Sequence, residues 1–351
     1  MKTIKIGDIT IGGNEKPFVI AEMSGNHNQS IDRALELVKA AADSGAHALK
    51  LQTYKASTIT IDHKGGLFDI TDKKSIWYGK NLYELYDKAH TPWGWHKQIF
   101  DYANSLGMIA FSSPFDETAV DFLESLNVPA YKIASFESTH HPLLIKVAKT
   151  GKPVIVSSGA STLDELNESV RILKENGCKD LVILKCTSTY PSSAENSNIN
   201  TIPVLQSIFS DCVIGLSDHT MGIGVSVASV ALGSAVIEKH FTLNRADGGV
   251  DSAFSLEPKE LTSLVVESER AFLALGNVQL NTQKSEEKSR QFKRSIYAVK
   301  DIVKGDEMTI DNIKIIRPGD GLSPKFFNLL LDKKATKSIK RGTPLSWDNL
   351  L

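Results

Sequence analysis

The sequence predicts an α/β protein in which eight parallel strands, each followed by a helix, close into a (β/α)8 TIM barrel. Eight short apolar runs rich in β-branched residues alternate with segments whose apolar residues recur every three or four positions. An open doubly wound sheet more commonly stops at five or six strands, so eight units favour the barrel. The runs are FVIAEMS, ALKLQTY, MIAFSSP, AYKIAS, PVIVSSG, DLVILKC, VIGLSD and AVIEKHF.

The segments between these runs predict the outer helices. IDRALELVKAAADSG follows the first run and STLDELNESVRILKENG follows the fifth, and both end at a glycine. The run GIGVSVASVALGSAVIE predicts a tightly packed barrel helix that leads into the eighth strand. An insertion from about Lys55 to His90 separates the second strand from its helix. Because the loops after barrel strands lie at the active-site face, we expect the insertion to cover that face.

The length of 351 residues predicts one large domain and one small one. We expect a catalytic barrel over residues 1–276, a polar linker with a helical turn over 277–294, and a β-rich domain over 295–351. The last segment contains short alternating strands broken at KGD, RPGDG and KRGTP. Since so short a domain builds only a marginal core, we expect it to be compact and docked on something.

Composition narrows the class of protein. The chain has 40 Lys and Arg against 41 Asp and Glu, so no nucleic acid or other polyanion is expected as a partner. It contains no apolar run of roughly 20 residues and no signal-peptide pattern, so we expect a cytoplasmic protein without membrane contact. Its cysteines lack CxxC spacing and are interpreted as buried thiols; they are Cys178, Cys186 and Cys212.

Lysines and serines occur near the carboxyl ends of the predicted strands, where barrel enzymes carry their catalytic groups. Alternation in a closed barrel points every second side chain inward, and an unpaired ammonium is costly there. Lys50 and Lys132 therefore require an anion. With the hydroxyls of Ser135, Ser157 and Ser217, they predict a site for a phosphate or a phosphate ester.

Two histidines end neighbouring predicted strands. His219 and His240, beside Asp218 and Glu22, could share one divalent ion, with water or substrate oxygens completing its shell. Such a set suits Mn²⁺ or Mg²⁺ as a Lewis acid better than a structural zinc site. Glu22 is a candidate base or hydroxyl ligand; the alternative is a salt bridge to a neighbouring lysine.

The ordered motifs AEMSGNHN, KLQTY, YKIAS, SSGAS, KCTSTYP, GLSDHT and EKHF resemble the sialic acid synthase family over essentially the whole chain. Its members condense phosphoenolpyruvate (PEP) with an acylated amino sugar to make nonulosonic acids, and the tail is similar to their antifreeze-protein-like SAF domain. TPWGWHKQIFDYA and FSSPFDETAVDFLE resemble the branch that makes pseudaminic acid. That likeness implies a transferase joining PEP, 2,4-diacetamido-2,4,6-trideoxy-β-L-altropyranose and water into pseudaminic acid and phosphate.

The resemblance also implies roles for individual residues. The groups binding PEP would be Lys50, Lys132, Ser135, Ser157 and Ser217. A divalent ion (Mn²⁺, Mg²⁺ or Co²⁺) would bind His219 and His240, and the sugar hydroxyls would contact Glu22 and Asp251. The rest of the pocket would be Gln52, Ser113, Ser188 and Tyr190. Arg317 matches an arginine that in relatives reaches the active site of a partner subunit, which implies a homodimer with exchanged C-terminal domains.

Three alternatives stay open at this point. The same condensation could act on N-acetylmannosamine or on the legionaminic acid precursor. A Schiff-base aldolase could use Lys132 or Lys185 on pyruvate. A sugar-binding or ice-binding protein could act through its tail alone, although an inert scaffold has no reason to place histidines, lysines and serines at successive strand ends.

Overall fold

The computed structural model describes residues 2–349 and divides the chain into two units, Met1–Gly276 and Asn277–Leu351. The first unit contains a closed barrel of eight strands with helices outside it, as predicted. Every neighbouring pair of barrel strands is parallel. Among the described residues, no helix has the length and apolar character needed to cross a membrane.

The first unit begins with two antiparallel strands, β1 (Thr3–Ile6) and β2 (Ile9–Gly12). The barrel strands are β3 (Phe18–Glu22), β4 (Ala48–Thr53), β5 (Ile109–Pro114), β6 (Tyr131–Ile133), β7 (Val154–Ser157), β8 (Leu181–Cys186), β9 (Val213–Asp218) and β10 (Val236–His240). Its α-helices are α1 (Ile31–Asp43), α2 (Ala56–Ile59), α3 (Leu82–Ala89), α4 (His96–Ser105), α5 (Glu117–Ser125), α6 (His141–Ala148), α7 (Leu163–Glu175), α8 (Thr201–Ile208), α9 (Gly224–Ala231) and α10 (Pro258–Leu275).

Local sequence explains where the predicted helices begin. In α7, the hydroxyl of Thr162 accepts a hydrogen bond from the backbone N–H of Glu165, and the Glu165 carboxylate accepts one from the N–H of Thr162. This capping box satisfies two donors that the first helical turn leaves free. Leu166, Val170 and Leu173 then lie at helical spacing on the buried face. The helix therefore packs against the barrel through the residues that its periodicity indicates.

The N-terminal hairpin has no counterpart in the sequence analysis, which assigns no structure to residues 3–12. Ile6 and Ile11 are fully buried in the core of the barrel unit. Gly12 lies so close to Val213, the first residue of β9, that a Cβ there would be only 3.0 Å from its side chain. The hairpin therefore packs at the amino end of the strands, opposite the end that carries the predicted site.

The second unit contains the β-rich tail predicted over 295–351 together with the segment 277–294, which was predicted as a linker. A 3-10 helix spans Lys284–Phe292, followed by the antiparallel strands β11 (Ser295–Ala298) and β12 (Ile313–Ile316) and by α11 (Phe327–Leu330). Its own apolar core consists of Ile296, Ala298, Ile302, Met308, Ile313, Leu330, Ala335, Ile339 and Leu345.

Two buried histidines fasten the end of the insertion to the barrel. His27 Nε2 lies 3.2 Å from Thr91 Oγ1, and His96 Nε2 lies 2.8 Å from Thr53 Oγ1 at the end of β4. Both imidazoles are inaccessible to solvent. Burial disfavours their charged form and lowers the pKa of each to about 4.

We expect this burial to make stability depend on pH. An unfolded histidine has a pKa near 6.5, so each of these side chains takes up a proton below that pH in the unfolded chain. In the folded protein the same side chains stay neutral until about pH 4. Stability is therefore complete above pH 6.5 and declines as the pH falls toward 4. Between pH 7 and pH 5, His96 alone should cost roughly 2 kcal/mol. We expect urea unfolding at pH 7 and pH 5 to show a smaller loss of unfolding free energy in His96→Gln than in wild type, by about 2 kcal/mol.

A matched control is His63→Gln, because His63 is an exposed residue of the insertion. Its unfolding free energy should follow the wild-type pH dependence. Equal pH dependence in wild type and His96→Gln would contradict the assignment of this loss to His96.

Candidate active site

Four buried charged side chains meet inside the carboxyl end of the barrel. Lys50 Nζ lies 2.8 Å from Glu22 Oε2 and 3.1 Å from Glu238 Oε1. Lys132 Nζ lies 3.7 Å from the same Glu238 oxygen, which also accepts a hydrogen bond of 3.3 Å from Ser217 Oγ. The two ammonium groups and two carboxylates cancel in formal charge. The alternative interpretation of Glu22, a salt bridge to a neighbouring lysine, is therefore observed, and its role as a base or hydroxyl ligand stays a prediction.

Burial and pairing act unequally on these groups. Burial raises the pKa of Glu22 despite the adjacent Lys50. Burial alone would also raise the pKa of Glu238, but Lys132 and Lys50 outweigh it and lower that pKa. The two lysines differ in the same way: burial lowers the pKa of Lys132, whereas the carboxylates around Lys50 overcome burial and raise its pKa. Lys132 is thus the less compensated cation, and an anionic ligand would stabilise its charge.

Serine hydroxyls surround this cluster. Lys50 Nζ is 3.5 Å from Ser113 Oγ, and Ser157 Oγ is buried without a hydrogen-bond partner among the described residues. A Cβ at Gly159 would overlap the Oγ atoms of Ser135 and Ser188, so only glycine lets these hydroxyls lie against the chain after β7. The hydroxyls provide donors beside the two ammonium groups, as a phosphate site requires.

His219 and His240 face each other with ring centres 5.3 Å apart. Since Nδ1 of His219 lies 3.0 Å from the carbonyl oxygen of Thr187, it carries the proton, and its Nε2 can bind a metal. Nδ1 of His240 is buried, has no hydrogen-bond partner within residues 2–349, and lies 3.8 Å from Asp251 Oδ2. Burial, reinforced by His219, lowers the pKa of His240 well below its usual value, which favours the neutral form that binds metals.

These donors fit a divalent ion that retains open positions. Within residues 2–349, no three His, Cys, Asp or Glu side chains converge closely enough to hold an ion by themselves. Two imidazoles would therefore share the ion with water or substrate oxygens. Asp218, expected beside the histidines, instead lies 2.8 Å from Lys239 Nζ and accepts a hydrogen bond of 2.6 Å from Ser226 Oγ on α9. Its carboxylate is thus used on the outer side of the barrel.

Polar side chains connect the cluster to the loop after β10. Gln52 Nε2 donates to Glu22 Oε1 at 3.1 Å and lies 3.4 Å from Ser24 Oγ. Ser24 Oγ in turn donates to the carboxylate of Asp251. The ring of Tyr190 lies 4.5 Å from that of His219. The residues that the resemblance places around the sugar therefore lie within or beside the charge cluster and the histidine pair; they are Glu22, Gln52, Tyr190 and Asp251.

A cavity of about 540 Å³ opens above these groups. The insertion supplies one side of it, so the predicted insertion does cover the site. The polar lining residues include Ser24, Gln52, Ser135, Glu137, Ser188, His240 and Asp251, whereas the insertion contributes Ile59, Ile70, Trp77, Leu82, Leu85, Tyr86 and Ala89. The cavity is large enough for two small substrates.

One predicted candidate, Lys185, points away from the site, because alternate residues of a barrel strand face opposite sides. Lys185 Nζ donates to Thr187 Oγ1 at 2.6 Å, and the neighbouring side chain of Cys186 is the one that faces Ser135 and His219. Arg317 belongs to the second unit, directly after β12. Its role at an active site stays a prediction.

Two carboxylates were missed as site residues by the sequence analysis. Glu238 pairs with both lysines, and its position two residues before His240 was the available signal, because alternate residues of a barrel strand point inward. Glu137 lines the cavity, and its Oε2 is buried without a hydrogen-bond partner among the described residues. Burial, partly opposed by Lys132, raises its pKa to about 7. No spacing in the sequence indicates that role.

Cys186 is buried, as the sequence analysis expects of each cysteine, but it lies within the site. Its Sγ is 3.9 Å from His219 Nδ1 and 3.7 Å from Ser188 Oγ. Burial raises the pKa of this thiol, and its hydrogen bonds with His219, Ser135 and Ser188 outweigh that effect, bringing the pKa to about 6.

The closed barrel, with a cavity and buried charged residues at its carboxyl end, is the architecture of a (β/α)8-barrel enzyme. The chain belongs to the NeuB family, whose pattern matches residues 37–280, and a SAF domain matches residues 293–351. The predicted membership of the sialic acid synthase family and the predicted SAF domain are thereby confirmed.

Individual relatives agree with this assignment. The pseudaminic acid synthase of Helicobacter pylori is 43% identical over 337 residues, covering 96% of this chain and 98% of that protein. That of Campylobacter jejuni is 45% identical over 332 residues, covering 95% and 96%. The crystal structure of N-acetylneuraminic acid synthetase from Leptospira borgpetersenii in complex with citrate superposes with a TM-score of 0.73 and 32% identity, covering 82% of this chain and 95% of that one.

Proposed function

We propose that this protein is a PEP-dependent synthase that makes pseudaminic acid from 2,4-diacetamido-2,4,6-trideoxy-β-L-altropyranose. The observation that carries the proposal is the buried pair Lys50 and Lys132, with one ammonium incompletely compensated. The pair is joined through Glu22 to Gln52, which lines the cavity together with His240. The 43% and 45% identity to pseudaminic acid synthases supports this sugar over the N-acetylmannosamine used in the sialic acid branch.

The reaction joins C3 of PEP to the aldehyde carbon of the open-chain sugar. Lys50 and Lys132, with the hydroxyls of Ser135, Ser157 and Ser217, would hold the phosphate and carboxylate of PEP and offset their charge throughout. Water then adds to C2 of the resulting cationic centre, and phosphate leaves by C–O cleavage. Glu22 is our first choice for positioning that water or accepting its proton, since burial raises the pKa of its carboxyl.

A divalent ion bound by His219 and His240 would supply Lewis-acid polarisation of the aldehyde oxygen. The Nδ1 of His240, which has no hydrogen-bond partner among the described residues, and the hydrogen bond that occupies Nδ1 of His219 and so directs its Nε2 to a ligand support that role. Asp251 and Gln52, linked through Ser24, would orient the sugar hydroxyls near the histidines. Ser113, Ser188 and Tyr190 would complete the pocket.

A homodimer with exchanged C-terminal domains is part of the proposal. Residues 277–351 contain 15 Lys and Arg against 9 Asp and Glu, whereas residues 1–276 contain 25 against 32, giving net charges of +6 and −7. Opposite net charges favour association between the tail of one subunit and the barrel of another. Phe136, which lines the cavity and is 63% exposed, offers an apolar contact at the mouth. Arg317 would then reach the partner's sugar.

The test of the proposed reaction is phosphate release from PEP with a panel of amino sugars. The 6-deoxy diacetamido sugar should far outperform N-acetylmannosamine and the legionaminic acid precursor. Oxygen from labelled water should enter C2 of the product, while the released phosphate keeps its bridging oxygen. A borohydride-trapped pyruvate adduct on Lys132 or Lys185 would instead support a Schiff-base aldolase. Binding of sugars without turnover would support a non-catalytic protein.

We expect chelation of divalent ions to abolish phosphate release and Mn²⁺, Co²⁺ or Mg²⁺ to restore it. His219→Ala and His240→Ala should each lower the rate at least about 100-fold, because polarisation of the aldehyde contributes several kcal/mol. His141→Ala on α6 is the matched control and should retain wild-type rate. Full activity after exhaustive chelation would contradict the metal assignment.

Exchange of the C-terminal domains predicts complementation between two inactive variants. Lys50→Ala inactivates the catalytic barrel, and Arg317→Ala should remove the sugar contact of the C-terminal domain. In a mixed dimer, one wild-type barrel faces one wild-type C-terminal domain, so co-expression should restore phosphate release well above either variant alone. If Arg317 acts within its own subunit, every site carries a lesion. Absence of rescue, with mixed dimers confirmed by mass spectrometry, would therefore refute the exchange.

A further inference from the structure

The two sides of the cavity differ in chemistry. On the side of the insertion, Ile70, Leu82 and Leu85 line the space, and Phe115 lines it from the loop after β5. Leu85 is only 6% exposed. These four side chains, which we call the apolar wall, contain no hydrogen-bonding atom.

Aromatic contacts place the insertion near the reacting end of the cavity. The ring of Trp77 lies 5.8 Å from that of Tyr190, which is itself 4.5 Å from His219. Trp77 Nε1 donates to the carbonyl oxygen of Val250 at 3.0 Å, the residue before Asp251. The insertion is therefore held against the loop that carries Asp251. The apolar wall lies in the same cavity as the polar side chains of the strand ends, which we call the polar floor: Gln52, Ser135 and His240.

The orientation of a bound sugar follows from this arrangement. Its aldehyde carbon must lie at the floor, beside PEP and the histidines, so the opposite end of the carbon chain extends toward the cavity lining above. The hydroxyls of Tyr54 and Tyr86 and the indole of Trp77 are polar groups on that side, and the indole N–H is already used by Val250.

We propose that the apolar wall is the specificity element that selects a sugar with a deoxygenated C6. This inference rests on the proposed function and deepens it. A hydroxyl at C6 would exchange its hydrogen bonds with water for contact with Ile70, Leu82 and Leu85, whereas a methyl group would lose nothing and remove apolar surface from water. Because apolar pockets reject an added hydroxyl only moderately, we expect a preference of roughly 10- to 100-fold in kcat/KM.

The experiment compares 2,4-diacetamido-2,4,6-trideoxy-altrose with its 6-hydroxy counterpart in wild type, Ile70→Gln and Leu82→Gln. Glutamine offers the hydroxyl a partner, so each variant should shrink the wild-type preference by about 10-fold. A loss of folded enzyme lowers both rates equally and leaves their ratio unchanged. Leu67→Gln is the matched control, since Leu67 belongs to the insertion but is 96% exposed, and it should keep the wild-type ratio.

A second measurement does not depend on turnover. The two sugars, reduced to alditols, lack the aldehyde and should inhibit phosphate release competitively, with the 6-deoxy alditol binding more tightly to wild type than to Leu82→Gln. An unchanged ratio in both variants, or a wild type that accepts both sugars equally, would overturn the role of the apolar wall while leaving the synthase proposal intact. Failure of wild type to release phosphate with any sugar would overturn the proposed function and this inference together.

Discussion

The site depends on burying two ammonium groups and two carboxylates in one place. Taking each charge out of water is expensive, and the cost is offset only when the partners lie within a few ångströms and further hydrogen bonds satisfy them. Lys50 meets this condition, with carboxylate oxygens at 2.8 and 3.1 Å, whereas Lys132 lies 3.7 Å from its nearest one. The cluster is therefore stable without ligand and still favours an additional anion.

Closure of the barrel makes that cluster possible. β10 pairs with β3 and thereby brings Glu238 beside Lys50, although 188 positions separate them in the chain. On its other side β10 pairs with β9, which places His240 near His219. The two neighbours of β10 thus assemble the anion site and the histidine pair. The insertion, fastened by Trp77 to the carbonyl oxygen of Val250, then limits the space above them.

Hydrogen bonds around the histidines determine which ring nitrogens remain available. The Thr187 carbonyl occupies Nδ1 of His219, whereas Nδ1 of His240 has no hydrogen-bond partner among residues 2–349 and lies 3.8 Å from Asp251 Oδ2. By contrast, His27 and His96 pair with threonine hydroxyls and serve the structure. Burial alone does not separate the two kinds of histidine, because all four are largely inaccessible; their partners do.

The sequence by itself determined the number of barrel strands, the two-domain organisation and the polar residues near the carboxyl ends of those strands, because alternation and helical periodicity are local patterns. Those patterns predict that Lys50 and Lys132 point into the barrel and that His219 and His240 lie at the ends of neighbouring strands. The hairpin over residues 3–12, the pairing of Glu238 with both lysines and the raised pKa of Glu137 did not. They arise from burial and from contacts between strands distant in the chain, which only the tertiary structure decides. The apolar wall is of the same kind, since Ile70, Leu82 and Phe115 share a surface only after the insertion packs over the barrel.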